Sequence, residues 1–444
     1  MAELLEMHKP NILFIMTDQQ NARMMSCAGN RYVKTPAMDS LAEKGLRFER
    51  AYCTNPICIP SRFSLMTGRM PSEIGLWNNV QKSIPPVPEQ ILEKGIGWVF
   101  RKAGYETVYG GKEHLPRFKA VDIGFDYFCN DERDLLADEC AAYLMKKKDK
   151  PFFLVCSLIN PHDICLMALR EKAESEQDKM ILSKSQVEIE HVEKALATPN
   201  GVDLETFFEK HCPPLPPNFE RQKDEPEILE EFAARRAFQK HARHNWPEDK
   251  WRMHRWAYCR LTELVDEQIS RVLDALDKSG HADNTIIVFT SDHGDNDSSH
   301  RFEHKTVFYD EATRVPFIIV APDSVKGKVD HENPVSNGLD IFPTLCDYAG
   351  IKPPADLKGL SLRPLVSGKK KDLERTFVPV EGELGRMAVS SKFKYALYDS
   401  GKNREQLYDL ERDPWETANF ANEASLKKVK DEHAKFVVEN FPEK

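Results

Sequence analysis

No stretch of this chain approaches the roughly 18 to 20 consecutive apolar residues that cross a bilayer, so no membrane span is expected. The opening segment MAELLEMHKPNILFIM (residues 1–16) lacks both a basic leader region and a small-residue cleavage site. The chain as given therefore carries no export signal, which leaves its location open between the cytoplasm and a processed or truncated periplasmic form. Positive charge is not in surplus either. Lys and Arg number 62 against 71 Asp and Glu, a formal net charge of -9, which argues against nucleic acid as the main partner while leaving room for a locally basic pocket. The ten cysteines stand singly, with none of the tight C-x-x-C pairs of a zinc site, and read mostly as reduced core residues. Internal repeats and long disordered tracts are lacking too.

What is present is 444 residues, 41% of them hydrophobic, enough to build a large α/β domain and a smaller second one. Asn11 to Thr17 is a continuous apolar run ending in Asp18-Gln19, the pattern of a buried parallel strand delivering polar groups from its C-terminal end. The layout recurs at Glu106 to Gly110 before Gly111-Lys112-Glu113-His114, and at Phe152 to Leu158 before Asn160-Pro161-His162. It recurs again at Thr285 to Thr290 before Ser291-Asp292-His293. Four such tips predict one shared crevice at the C-terminal edge of an open sheet, with Val315 to Val320 as a further strand. From Trp251 to Lys278, Trp256, Leu261, Leu264, Val265, Ile269, Val272, Leu273 and Leu276 recur at helical spacing and predict a core-facing helix. Residues 166–250 are charge-rich and helix-favouring, interrupted by CPPLPP at Cys212 to Pro217. They read as a helical insertion that forms a lid or pocket wall, or a solvated decoration.

The most specific run is CIPSRFSLMTGR, Cys58 to Arg69. Pro60 needs no N–H donor in a first helical turn, so Ser61 to Thr67 reads as the start of a helix, with Gly68 closing it. Cys58 then sits at a positive helix end, where backbone N–H groups and Arg62 favour an anionic reacting group and an anionic substrate. Asp18 and Asp292 supply two carboxylates for a hard divalent cation, with Gln19 and His293 as their neighbours.

Position for position, Cys58 to Arg69 resembles the signature C-x-P-S-R-x-x-x-x-T-G-R of the type I sulfatases of the alkaline phosphatase superfamily. In that family the cysteine is oxidised to formylglycine by a maturation enzyme. The resemblance implies a large mixed, mostly parallel sheet flanked by helices (residues 1–373) and a smaller C-terminal α+β subdomain with an antiparallel sheet (residues 374–444). KYALYDSGKNREQLYDLERDPWETAN, Lys394 to Asn419, resembles that subdomain, and its LYDLERDPWE piece reads as a strand and an Asp-Pro turn.

The resemblance also implies a metal site of Asp18, Gln19, Asp292, His293 and the group at Cys58. The family's usual second aspartate is Gln19 here, and its last ligand, often Asn, is His293. Calcium is the first expectation, with magnesium, manganese or zinc left open by the amide and the imidazole. Gly111-Lys112-Glu113-His114-Leu115 resembles the family's G-K-x-H-L, and His162 in NPHD and Lys305 in HKTVFYDEATRVP resemble its substrate-binding pair. His300, five residues before Lys305, is a further pocket candidate.

By the same resemblance, hydrated formylglycine 58 attacks sulfur while Arg62, Lys112 and Lys305 neutralise the substrate oxygens. His162 and Lys305 assist the leaving alcohol, and His114 takes the proton that regenerates the aldehyde. The expected reaction is hydrolysis of a sulfate monoester on a sulfated small molecule or glycan. Trp77, Trp98, Trp246 and Trp251 could shape a sugar site or equally be core. Two other readings stay open: a phosphonate monoester hydrolase or phosphodiesterase of the same superfamily, and a non-catalytic sulfated-glycan-binding protein. Oligomeric state is not readable from the sequence.

Overall fold

The computed structural model describes residues 9–442. The outer limits expected for the two domains, residues 1 and 444, lie outside the described residues, as does the first half of the segment weighed as an export signal. Among the described residues no helix is long and apolar enough to cross a membrane.

In chain order the strands are β1 (Asn11–Asp18), β2 (Leu46–Phe48), β3 (Ala51–Tyr52), β4 (Glu106–Gly111), β5 (Asp126–Cys129), β6 (Phe152–Pro161) and β7 (Thr285–Ser291). They continue with β8 (Phe317–Val320), β9 (Lys328–Asp330), β10 (Val335–Ser336), β11 (Val378–Gly382), β12 (Gly385–Val389), β13 (Phe393–Tyr398) and β14 (Glu405–Asp409). The main sheet has eight strands in the order β5-β4-β6-β1-β7-β8-β2-β9. β1 lies between β6 and β7, parallel to both, with Ile12 opposite Phe153 and Ile286. β8 is antiparallel to β7 and to β2, which makes the sheet mixed. The apolar run expected to begin at Val315 enters the sheet only at Phe317, because Pro316 lacks the N–H a ladder position uses.

β1 shows why the runs are continuous rather than alternating. Ile12, Phe14 and Met16 enter one core layer and Leu13 and Ile15 the other, so both faces of the strand are covered. The first layer is closed by the helices Cys58–Thr67 and Asn337–Ala349, which contribute Ile59, Phe63, Phe342 and Leu345. The second is closed by the long helix Glu248–Lys278 through Val265, Ile269, Val272, Leu273 and Leu276, the residues its periodicity marked, with Leu264 only half-buried.

Residues 166–250 are largely helical and share a core with the first half of the long helix and with Met24 and Val33. Trp246 and Trp251 lie edge to face inside it, both buried. These two tryptophans, considered above as sugar contacts, are packing residues, while Trp77 and Trp98 lie half-buried under Arg386 and Arg101. The C-terminal sheet β11-β12-β13-β14 is antiparallel throughout and is covered by the helix Lys427–Asn440 through Val437. β14 is the strand of the LYDLERDPWE segment.

Candidate active site

The Cys58 helix begins at Cys58 itself, with Ile57 extended before it. Pro60 is its third residue, inside the first turn, where a missing N–H costs no helical hydrogen bond. Gly68 ends it at φ 69°, a left-handed conformation open to glycine, and its N–H donates to Ser64 O at 2.7 Å. Cys58 is thereby fixed at the positive end of the helix and beneath the sheet tips.

The tips of β1 and β7 bring Asp18, Asp292 and His293 to Cys58. One donor atom from each of the four residues falls within 4.8 Å of the others, and all four are buried. His293 Nε2 is 3.2 Å from Cys58 Sγ, 3.9 Å from Asp18 Oδ1 and 3.6 Å from Asp292 Oδ1. Its Nδ1 faces Gly294 O at 2.9 Å, which places an N–H on Nδ1 and turns Nε2 toward the sulfur and the two carboxylates. Two carboxylates, an imidazole nitrogen and a sulfur converging on one spot are the donor set of a divalent cation site, and the residues fit one.

Gln19, expected as a further ligand, is turned aside. Its Oε1 accepts from Lys305 Nζ at 2.6 Å and Cys165 Sγ at 3.0 Å, and its Nε2 donates to Asp295 Oδ2 at 2.6 Å. Arg62, expected on the substrate oxygens, is likewise committed to the protein. Nε donates to Asp292 Oδ2 at 2.7 Å, Nη2 to Asp18 Oδ2 at 2.8 Å, and Nη1 to Lys112 O and Ser157 Oγ at 2.9 Å each. It is fully buried and acts as a fork holding the two carboxylates.

β4 ends at Gly111, whose φ of 88° and approach to Ser157 O leave no room for a Cβ, and hands Lys112 to the same spot. Lys112 Nζ is 2.8 Å from Asp18 Oδ2, and Lys305 Nζ is 3.3 Å from Cys58 Sγ. The imidazoles of His114 and His162 also interact with the Cys58 sulfur. His114 Nδ1 is buried without a protein partner. His300 is elsewhere in the packing: it stacks on Tyr309 with ring centroids 3.6 Å apart and faces Asn218 at 3.2 Å, so the pocket role considered for it finds no contact with the Cys58 cluster.

The electrostatics follow from these contacts. Burial opposes charge on the Cys58 thiol, but Lys305, Lys112 and His293 outweigh it and hold the thiol well below its ordinary value. Burial and Cys58 oppose charge on Asp18, and Lys112, His162 and Arg62 overcome them, so its carboxyl lies well below the usual range. Asp292 is pushed up by burial and by Asp18. His162 is pushed down to about 4 by burial and then by Lys112 and Lys305.

Beside this centre opens a cavity of about 900 Å³. Ile57, His304 and Thr306, the immediate neighbours of Cys58 and Lys305, form its floor; Asn78 to Val80 and Lys82 form one side. Residues 166–250 contribute Glu174, Asp178, Arg235 and Arg236 to the lining, and Glu383, beside the C-terminal sheet, adds to it.

The family model for sulfatases matches residues 10–351, and that for the C-terminal part of N-sulphoglucosamine sulphohydrolase matches residues 298–440. The chain belongs to the sulfatase family. Like the rest of that family it is a sulfuric ester hydrolase of the alkaline phosphatase superfamily, for which a divalent metal and formylglycine are typical.

Its relatives include a Delta 4,5-hexuronate-2-O-sulfatase from Bacteroides thetaiotaomicron, 31% identical over 96% of this chain and 87% of that one. An N-acetylglucosamine-6-O-sulfatase from the same organism is 27% identical over 96% of this chain and 85% of that one. The solved structure of a 2-O GAG sulfatase superposes with a TM-score of 0.81 at 28% identity, covering 97% of this chain and 92% of the other.

Three residues of this sulfatase's centre were not singled out from the sequence. Ser157 lies one residue inside the β6 run, and Cys165 three residues beyond His162. Asp295, two residues after His293 in SDHGD, carried the clearest available signal, a third carboxylate on the same sheet tip.

Proposed function

We propose that this sulfatase hydrolyses a sulfate monoester on a carbohydrate, with Cys58, converted to formylglycine by a maturation enzyme, as its nucleophile. The observation that carries the reading is the surround of Cys58 Sγ: a helix N-terminus, His293 Nε2 at 3.2 Å and Lys305 Nζ at 3.3 Å. The sulfur marks the position of the formylglycine oxygen. A hydrated aldehyde there supplies two hydroxyls on one carbon, one to attack and one to expel the product sulfate.

Asp18, Asp292, His293 and the group at position 58 would hold the divalent metal, and calcium suits the two carboxylates. When bound, the ion would supply positive charge that favours deprotonation at position 58 and offsets the charge of an anionic substrate. Arg62 keeps Asp18 and Asp292 in register. Lys112 and Lys305 neutralise the sulfuryl oxygens, and Lys305 with His162 faces the leaving alcohol. His114, with its free Nδ1, takes the proton of the second hydroxyl.

A glycan substrate is supported by two of the relatives, the Delta 4,5-hexuronate-2-O-sulfatase and the N-acetylglucosamine-6-O-sulfatase, and by a cavity of about 900 Å³ whose lining includes six charged side chains and four amides.

The test is sulfate release from a panel of sulfated sugars and aryl sulfates by protein produced with a maturase, beside a Cys58→Ala control. Release from the sugars that disappears in the control is the expected result. No release, with mass spectrometry showing position 58 converted, would overturn the reading; phosphate or phosphonate esters in the same panel would then identify a phosphorus-directed enzyme.

A further inference from the structure

Gln19 carries a polar side chain into the centre without joining the carboxylate and imidazole group, and its amide can sit two ways. An amide presents either its oxygen or its NH₂ to a neighbour, and only the oxygen can accept from an ammonium. Here the oxygen faces Lys305 Nζ at 2.6 Å and the NH₂ faces Asp295 Oδ2 at 2.6 Å. Asp295 is itself held: its Oδ1 accepts from Asp297 N at 2.7 Å, and its side chain has no solvent exposure. Gln19 N donates to Asp292 Oδ1 at 3.2 Å and Gln19 O accepts from the Tyr258 hydroxyl, so its backbone is fixed while only the amide retains a choice.

We propose that Asp295 is a positioning residue for sulfate hydrolysis: by accepting from the Gln19 NH₂ it forces the Gln19 oxygen onto Lys305 and so holds the ammonium 3.3 Å from the nucleophile position at Cys58. Gln19 donates to Asp295, and Lys305 donates both to Gln19 and to the sulfur at position 58, so every link in the series pairs a donor with an acceptor. Reversing the first link reverses the second. An NH₂ turned toward Lys305 sets donor against donor, and the lysine leaves the sulfur.

This gives a test that a packing role would not satisfy. In Asp295→Asn the retained oxygen serves Asp297 N, an NH₂ meets Gln19, and the Gln19 amide turns over. In the double variant Gln19→Glu with Asp295→Asn, the new NH₂ donates to one oxygen of the introduced carboxylate and the other oxygen again accepts from Lys305.

The inference rests on position 58 being the nucleophile. The experiment therefore measures kcat and KM for 4-nitrophenyl sulfate with matured wild type, Cys58→Ala, Asp295→Asn and the double variant, together with formylglycine content, metal content and Tm. The expected result is a kcat at least thirtyfold lower in Asp295→Asn with KM changed less than threefold, and recovery to within fivefold of wild type in the double variant. Metal content should be equal in all three chains that keep Cys58.

Three results would overturn the role of Asp295: a wild-type kcat in Asp295→Asn, a double variant no better than the single one, or a loss of metal that parallels the loss of rate. Full activity in Cys58→Ala would instead remove the nucleophile reading, and the two failures are read from different proteins.

Discussion

Arg62 donates through Nε to Asp292 Oδ2 at 2.7 Å, and neither side chain reaches solvent. With Nη2 on Asp18, one guanidinium spans both carboxylates of the metal group. Arg62→Lys keeps the charge and loses the fork. It is expected to cost roughly 3–5 kcal/mol of stability, because one carboxylate remains buried without its partner. Denaturant unfolding measures the loss, and metal titration of the same variant should show weaker binding; an unchanged midpoint would contradict this account of Arg62.

Removal of the metal should act on stability as well as on rate. Stripped with a chelator, the protein keeps Arg62, Lys112 and His293 beside Asp18 and Asp292 but loses the divalent charge between them. A site filled at about a hundredfold above its dissociation constant adds about 2.7 kcal/mol. Tm should fall on chelation and return with calcium; a Tm indifferent to both would remove this group of four as the metal site.

Asp163, next to His162, gives a pH test. Burial alone would raise its carboxyl, yet His191 and Arg133 hold it at about 2, against an ordinary 3.8. A folded value below the unfolded one means that stability is fully present above about pH 4 and is lost as pH falls through about 2, by roughly 2 to 3 kcal/mol. In Asp163→Asn the unfolding free energy should lie lower at neutral pH, and its slope between pH 4 and 2 should be shallower than that of wild type. Equal slopes would show that Asp163 does not carry this dependence.

Lys394 ties the C-terminal sheet to Asp310, which precedes β8. It is fully buried in β13, 2.8 Å from Asp310 Oδ1 and paired with Glu416. Lys394→Met leaves two buried acids facing each other and should cost roughly 3–5 kcal/mol. Thermal unfolding checks this, and a Tm within error of wild type would make the contact incidental.

Arg235 stands half-exposed on the cavity wall, 3.8 Å from Glu383. In Arg235→Ala, KM for a sulfated oligosaccharide should rise about tenfold, about 1.4 kcal/mol, with kcat held and 4-nitrophenyl sulfate unaffected. Equal effects on both substrates would move Arg235 out of the role of a glycan contact.

The four strands that carry the site were legible because each is a continuous apolar run broken by charge, a pattern that only doubly covered strands need. The long helix was legible through its period, and Cys58 through its motif. Orientation was not legible. That Gln19 faces Lys305 rather than the carboxylates depends on Asp295, 276 residues away along the chain, and no local pattern encodes it. Arg62 reads as a substrate residue until the buried acids on both sides of it come into view. His300 shares its sequence interval from Lys305 with many sulfatases, yet Tyr309 and Asn218 hold it away. Trp246 and Trp251 show the same limit, since an aromatic ring suits a sugar face and a core equally well.

The metal group hangs from the ends of β1 and β7 and from the start of the Cys58 helix, whereas much of the cavity lining comes from residues 166–250 and from Glu383. None of Asp18, Cys58, Asp292 and His293 belongs to that segment, so a change in the wall need not replace a ligand of the metal group. A laboratory graft of that segment between relatives should transfer substrate preference while leaving the chemical step where it was.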